Sequence, residues 1–277
     1  IGIKQLELYF KMISVIIPTY KEPDYLDICL KSIFMDPSSR KNFEVIIVVD
    51  GFYDLNKTVI EKYKELEDNI KVLNLPTNQG LSVATNLGVY NSSSDTVLVV
   101  NDDNIFPSNW DTIIAENLKP KSVLSPNQIE PNPSMFPQFI IKDFGTDPNT
   151  FDVSNFQKEE ILLRKDETTE EGSTLPFAIN KYDYLALGGW DELYPSPHVV
   201  DWDFFLRCEY WGLKMERTYA CNFYHFAGAA TRKTPEQNQE SSKKEAIAHG
   251  FFQNKWGCPA HHNPINNSKM LPFKKNY

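Results

Sequence analysis

The chain predicts an α/β fold built on a mostly parallel central sheet with helices on its faces. Two observations carry that expectation. The runs Ile13-Ser14-Val15-Ile16-Ile17, Val45-Ile46-Ile47-Val48-Val49 and Val97-Leu98-Val99-Val100 are almost continuously apolar and rich in β-branched residues, as strands covered on both faces must be. Amphipathic segments alternate with them, and strand–helix repetition of this kind favours parallel strands joined by right-handed crossovers.

The elements follow in order. Leu26, Leu30, Ile33 and Phe34 recur at helical spacing behind Pro23, a residue suited to a first helical turn. Asn56 can cap a helix carrying Val59, Ile60, Tyr63 and Leu66, and Ser108 one carrying Trp110, Ile113, Ile114 and Leu118. Prolines at 126, 131, 133, 137 and 148 argue against helix and central strand, and predict a long irregular stretch. Order returns at Leu175-Pro176-Phe177-Ala178-Ile179, in a segment that ends at Gly188-Gly189. A helix is expected from about Asp201 to Tyr210, stopping at Gly212, and a strand from Thr218 to Phe226. The charged tract Lys233 to Glu245 reads as a surface loop entering a helix that buries Ile247, Phe251 and Phe252. Residues 1–11 read as a leader outside the functional unit, because the first strand begins directly after Met12.

Composition excludes several classes of function. With 28 Lys+Arg against 37 Asp+Glu the formal charge is −9, and no basic block is present. Nucleic acid is therefore not an expected partner, nor is an anionic membrane surface. The 41% hydrophobic and 23% charged content excludes global disorder, and 277 residues suit one large domain or two halves sharing a sheet. Cys29, Cys208, Cys221 and Cys258 are scattered without a C-x-x-C pair, so packed, reduced thiols are expected rather than a zinc knuckle or disulfide framework. No apolar run approaches the roughly 18 residues of a membrane span. A soluble, cytoplasmic product without an integral membrane segment is the expectation.

In an open α/β sheet, ligands bind beyond the carboxyl ends of the strands. Strand one ends in Pro18-Thr19-Tyr20-Lys21-Glu22, strand two in Asp50-Gly51 and strand three in Asn101-Asp102-Asp103-Asn104. Neither G-x-G-x-x-G after strand one nor G-x-x-x-x-G-K-[ST] occurs. A phosphate ligand thus needs another source of charge neutralisation, and Asn101-Asp102-Asp103 offers oxygens to a hard divalent cation, Mg²⁺ or Mn²⁺. Taken alone, the same residues also suit a turn that satisfies its own backbone.

Ser14-Val15-Ile16-Ile17-Pro18-Thr19-Tyr20, Val48-Val49-Asp50-Gly51, Asn78-Gln79-Gly80 with Thr85-Asn86-Leu87-Gly88, and Val99-Val100-Asn101-Asp102-Asp103 occur in that order. Gly188-Gly189-Trp190-Asp191-Glu192, Asp201-Trp202-Asp203-Phe204-Phe205-Leu206-Arg207 and Tyr224-His225-Phe226-Ala227-Gly228 follow. This succession resembles family 2 glycosyltransferases of GT-A fold, which have a Rossmann-like central sheet and depend on nucleotide diphosphate sugars.

The resemblance implies a role for each matched position. Residues 12–125 would form the nucleotide-sugar-binding half and 126–277 the acceptor-binding half of one domain. Thr19 and Tyr20, flanked by Pro18 and Glu22, would lie against the base, and Asp50 would hydrogen-bond base or ribose. Asn78 and Gly80 would form the turn closing over the nucleoside. Asn101-x-Asp103 takes the place of the family's D-x-D, which makes Asp103 the foremost metal ligand and Asp102 a contact to ribose or donor sugar; His225 would complete the metal shell or touch the diphosphate. Asp201 would be the general base, with Asp203 its alternative should the alignment slip by two. Arg232 and Lys233 could close over the leaving phosphates or remain solvated. The implied reaction moves one sugar from a donor, UDP-sugar favoured, to a hydroxyl of a glycan or glycosylated acceptor, with inversion and without processivity. The stretch 126–150 and the Trp190 to His198 loop would decide acceptor choice.

Three positions depart from the family pattern: Asn101 for Asp, Val200 for Glu before the base, and Ala84-Thr85 where an Arg falls. They give weight to a rival, a catalytically silent GT-A-like nucleotide-binding module. A sugar-phosphate nucleotidyltransferase is disfavoured, because Tyr20-Lys21-Glu22-Pro23 is no Gly-rich basic loop. His261-His262 has no carboxylate or Cys at ligand spacing and receives no role.

Overall fold

A computed structural model describes residues 12–37, 39, 41–134, 136–226 and 234–262. The proposed leader, Ala227-Gly228, Arg232 and Lys233 lie outside them. The strands are β1 (Ile13–Thr19), β2 (Phe43–Asp50), β3 (Ile70–Leu75), β4 (Thr96–Val99), β5 (Asn104–Ile105), β6 (Ser122–Glu130), β7 (Ile140–Ile141), β8 (Thr168–Thr169), β9 (Phe177–Asn180) and β10 (Lys214–His225). They form a ten-stranded sheet in the order β3-β2-β1-β4-β9-β6-β10-β5, with β7 on β6 and β8 on β10. β1 pairs in parallel with both β2 and β4, β2 with β3, and β6 with β10; β9 runs antiparallel between β4 and β6. The helices are α1 (Pro23–Phe34), α2 (Tyr53–Leu66), α3 (Leu81–Tyr90), α4 (Trp110–Asn117), α5 (Val153–Glu160), α6 (Lys181–Ala186), α7 (Val200–Tyr210) and α8 (Pro235–Trp256).

Period-two alternation divides the core into two layers. Ile16 and Val48 point into a cluster with Phe177, Trp190, Phe204 and Phe252, whereas Val15, Ile17, Val45 and Ile47 point into one with Leu26, Ile60, Phe106 and Trp110. All seven residues of β1 are buried, which is why that run reads as continuously apolar. The edge strand β3 has no fully buried residue, and Lys71 and Asn74 are exposed among half-buried neighbours. Its polar Lys71 and Asn74 conceal it from a search for apolar runs.

Several expected boundaries move. Pro126 does not end order: β6 continues to Glu130 and is buried along its whole length. The reason lies in its partner, since Thr218 pairs with Pro126 but the next pair is Asn222 with Asn127. Tyr219–Cys221 therefore bulge out at the position where a proline has no N–H to offer. Asn56 is no cap, because α2 starts earlier, behind Phe52 in the left-handed region (φ 56°). Buried Asn56 instead gives its Nδ2 hydrogen to the Tyr20 carbonyl, 3.0 Å away. Asn109 (φ 61°), not Ser108, precedes α4.

The charged tract proves largely helical. Thr234 and Gln237 form a reciprocal capping box at the start of α8. Within α8, Ala248 and Phe252 are buried at i, i+4 spacing, so Ile247, one residue off that stripe, is left 59% exposed. The four cysteines are buried free thiols. Among the described residues no helix is long and apolar enough to cross a membrane.

Helix α3 sits directly on β1 and β2. A Cβ on Gly88 would stand 2.4 Å from Ile16 Cγ2 and 3.1 Å from Val48 Cγ2, both side chains of the packed core. Gly88→Ala is therefore expected to lower unfolding free energy by about 1–3 kcal/mol, as read from the urea midpoint.

Candidate active site

A cleft of about 620 Å³ opens beyond the carboxyl ends of β1, β2 and β4. One wall carries Pro18, Thr19, Tyr20, Glu22, Asp50, Asn78 and Gly80, and a deeper wall Asn101, Asp102, Asp103 and His225. Asp201 is not among the lining residues.

At the first wall, Asp50 is buried and already engaged. Its Oδ1 accepts Gln79 N–H at 2.6 Å and its Oδ2 accepts Gly80 N–H at 2.9 Å. The carboxylate thus holds the Asn78-Gln79-Gly80 turn against the end of β2. Gly51 permits the approach, since a Cβ there would lie 2.9 Å from Asn78 N. Tyr20, 37% exposed, stands edge-on to Phe52 with ring centroids 5.4 Å apart, and Lys21 Nζ lies 4.0 Å from the Phe52 centroid and 4.8 Å from that of Tyr20. Phe52 and Lys21 were not singled out from sequence. An aromatic residue directly after Asp50-Gly51 was the available signal.

At the deeper wall, Thr19 donates from Oγ1 to Asp102 Oδ2 at 2.7 Å. Burial, reinforced by the neighbouring Asp103 charge, pushes the Asp102 pKa up to about 7 against that hydrogen bond. The turn also satisfies itself, with Asn101 N–H donating to Asn104 Oδ1 (3.0 Å) and Asn104 N–H to Asn101 O (3.2 Å). Antiparallel pairing of β5 with the end of β10 sets Asn104 opposite His225 and so carries the imidazole to Asp103. His225 Nε2 lies 3.6 Å from Asp103 Oδ1, and Nδ1 lies 2.9 Å from Glu130 Oε1. Burial disfavours the imidazolium, but Asp103 and Glu130 outweigh it and raise the His225 pKa. Glu130 escaped the sequence reading because it lies in the stretch expected to be irregular. Among the described residues no group of three or more His, Cys, Asp or Glu side chains forms a ready metal cage.

The Gly188–Tyr194 segment supplies another part of the lining, through Glu192 and Tyr194. Asn86 anchors it. Asn86 Oδ1 accepts Tyr184 O–H (2.7 Å) and Trp190 N–H (2.9 Å), and its Nδ2 donates to Trp190 O (2.8 Å) and Glu192 Oε1 (2.9 Å). A Cβ on Gly189 would strike Asn86 Oδ1 at 2.4 Å, which accounts for a glycine there.

The first turn of α7 holds two carboxylates of different character. Asp203 is fully buried and takes Arg207 at 2.9 Å, Lys255 at 2.7 Å and Trp256 Nε1–H at 2.8 Å. Asp201 is half-buried and accepts Trp202 N–H at 3.0 Å. Burial raises its pKa to about 6, with backbone hydrogen bonds opposing the shift.

A family model for Glycosyl transferase family 2 matches residues 14–174, more than half of the chain. The chain belongs to glycosyl transferase family 2. An uncharacterized glycosyltransferase of Haemophilus influenzae is 27% identical to this family 2 chain over 200 residues, covering 71% of the chain and 61% of the relative. Glycosyltransferase GlyA of Streptococcus pneumoniae is 35% identical over 91 residues, covering 33% of the chain and 13% of the relative. The chain thus spans less than two thirds of the length of these relatives. S. aureus TarS (residues 1–349) shares the fold with TM-score 0.55 at 19% identity, over 89% of this chain and 72% of that one. GalNAc-T7, solved with UDP, GalNAc and Mn²⁺, does so with TM-score 0.56 at 15% identity, over 77% of this chain and 43% of that one. The expected GT-A fold is thereby established.

The two carboxylates of α7 in this family 2 chain respond differently to isosteric neutralisation. Asp203→Asn leaves Arg207 without its buried counter-charge and Lys255 with Asp191 alone, and is expected to cost about 3–5 kcal/mol. Asp201→Asn removes only a charge that burial disfavours, so its urea midpoint should match or exceed that of the wild type at pH 7.5.

Proposed function

We propose that the chain transfers a single sugar, with inversion, from a nucleotide diphosphate sugar to an acceptor hydroxyl. UDP is the favoured nucleotide: UDP is present in a solved TarS complex that shares the fold (TM-score 0.54, 18% identity). One observation carries the reading: residues from β1, β2, the turn after β4 and the end of β10, far apart in sequence, converge on one cleft. In this reading Tyr20 offers the base a ring face, Asp50 keeps the Asn78–Gly80 turn over the nucleoside, and Asp102 reads ribose or donor-sugar hydroxyls.

The deeper wall suits a divalent cation, Mn²⁺ or Mg²⁺. Asp103 Oδ1 is buried with no hydrogen-bond partner, and His225 stands beside it. These two residues would hold the ion, a hard cation suited to oxygen and imidazole donors. When bound, such an ion would supply charge neutralisation to the leaving diphosphate. Glu130, hydrogen-bonded to His225 Nδ1, fixes which imidazole nitrogen faces Asp103.

Asp201 is the proposed general base. Its carboxylate takes the acceptor hydroxyl proton as that oxygen bonds to the anomeric carbon, and the pair of the breaking C–O bond leaves on the diphosphate. Asp203 is committed to its ion pairs, which favours Asp201 of the two candidates. Non-processive transfer is part of the proposal, with the half after residue 125 shaping the acceptor site.

A panel of UDP-, GDP-, dTDP- and CMP-sugars with Mn²⁺ tests the reading. Asp201→Asn is expected to lower kcat by roughly 10²–10⁴-fold while preserving the rise in Tm caused by UDP. Because the base works ionised and its pKa is raised to about 6, kcat should be level above that pH and fall as pH drops through it. Asp103→Ala should abolish the Mn²⁺-dependent part of UDP binding. If the wild type binds UDP yet neither transfers nor hydrolyses any donor, the silent binding module is the correct description.

A further inference from the structure

We infer that Glu192 recognises a hydroxyl of the acceptor sugar, at the junction between the donor cleft and a second, shallower groove; the inference rests on the glycosyl-transfer reading above. The groove, of about 550 Å³, is lined by Asn86, Gly189, Trp190, Asp191, Arg207 and Lys255. Glu192 lines both the groove and the cleft. A sugar in the groove therefore meets Glu192 before it meets the donor.

The carboxylate is held ready rather than free. Asn86 uses both amide hydrogens and accepts twice at its oxygen, so turning the amide over would set its donors against the Trp190 N–H and leave Glu192 facing an oxygen. Asn86 occupies one of about four lone-pair sites on the Glu192 carboxylate. The remainder are acceptors, which suits a ligand rich in O–H donors. Leu193, 77% exposed, also lines the groove and offers the apolar contact that the C–H face of a pyranose needs. A few fixed polar groups beside apolar surface form the pattern of a small-ligand subsite.

The test uses the full chain, UDP-glucose, UDP-galactose and UDP-N-acetylglucosamine as donors, and p-nitrophenyl pyranosides of the same sugars as acceptors. Glu192→Gln keeps an oxygen for Asn86 but loses the charge and half of the acceptor capacity. The acceptor KM is expected to rise at least tenfold, with the donor KM within threefold of the wild type and the UDP-induced rise in Tm retained, which also certifies the fold. An acceptor KM within twofold of the wild type overturns the inference alone. So does a parallel rise in donor KM or a lost UDP shift, either of which assigns Glu192 to the donor. Wild-type transfer to water but to none of the pyranosides likewise overturns the acceptor assignment. A wild type that turns over no donor overturns the glycosyl-transfer reading itself, and this inference with it.

Discussion

The structure depends on β1 being buried on both faces and paired in parallel on both edges. Parallel neighbours end at the same side of a sheet, so the residues that leave β1, β2 and β4 emerge together: Thr19 and Tyr20, Asp50, and the Asn101–Asn104 turn. Hydrophobic burial and backbone pairing hold this arrangement together, yet its by-product is a polar rim. The acidic excess of the chain is partly concentrated there, in Asp50, Asp102 and Asp103.

The carboxylates of the rim and of α7 divide into those spent on holding the protein together and those with capacity unspent. Asp50 spends both oxygens on backbone N–H groups of a neighbouring turn, and Asp203 spends its charge on Arg207 and Lys255. Asp103 retains a buried oxygen without a hydrogen-bond partner, and Asp201 remains outside the ion pairs that hold Asp203. Energy that would favour satisfying every polar group is withheld at those positions. Unsatisfied or disfavoured charge is what a site for chemistry needs.

The fold was largely legible in the sequence because the strands buried on both faces announce themselves as apolar runs, and the order of the motifs narrowed it further. β3 was not legible, since an edge strand is half polar, and β6 was masked by Pro126, whose usual meaning was cancelled by a bulge in its neighbour. The cleft was legible wherever a side chain directly follows a strand. Glu130, Phe52, Lys21 and the Asn86 anchor were not, because their roles arise from pairings between segments, in one case more than a hundred residues apart. Cap positions shifted for a local reason: Phe52 and Asn109 adopt left-handed turns that start helices earlier or later than a side-chain cap would.

The bulge in β10 sets an alignment as well as relieving Pro126. Continued without interruption, the pairing of Thr218 with Pro126 would bring Asn222 opposite Glu130; the three residues looped out advance the strand so that Tyr224 pairs with Ile129 and His225 reaches Glu130. Three is odd, and a strand has period two, so the looped residues also reverse which side chains face each layer beyond that point. The number of residues between Thr218 and Asn222 is therefore itself part of the site. β10 works as a vernier, in which a proline with no hydrogen to donate determines, seven residues further along the neighbouring strand, which imidazole meets Asp103.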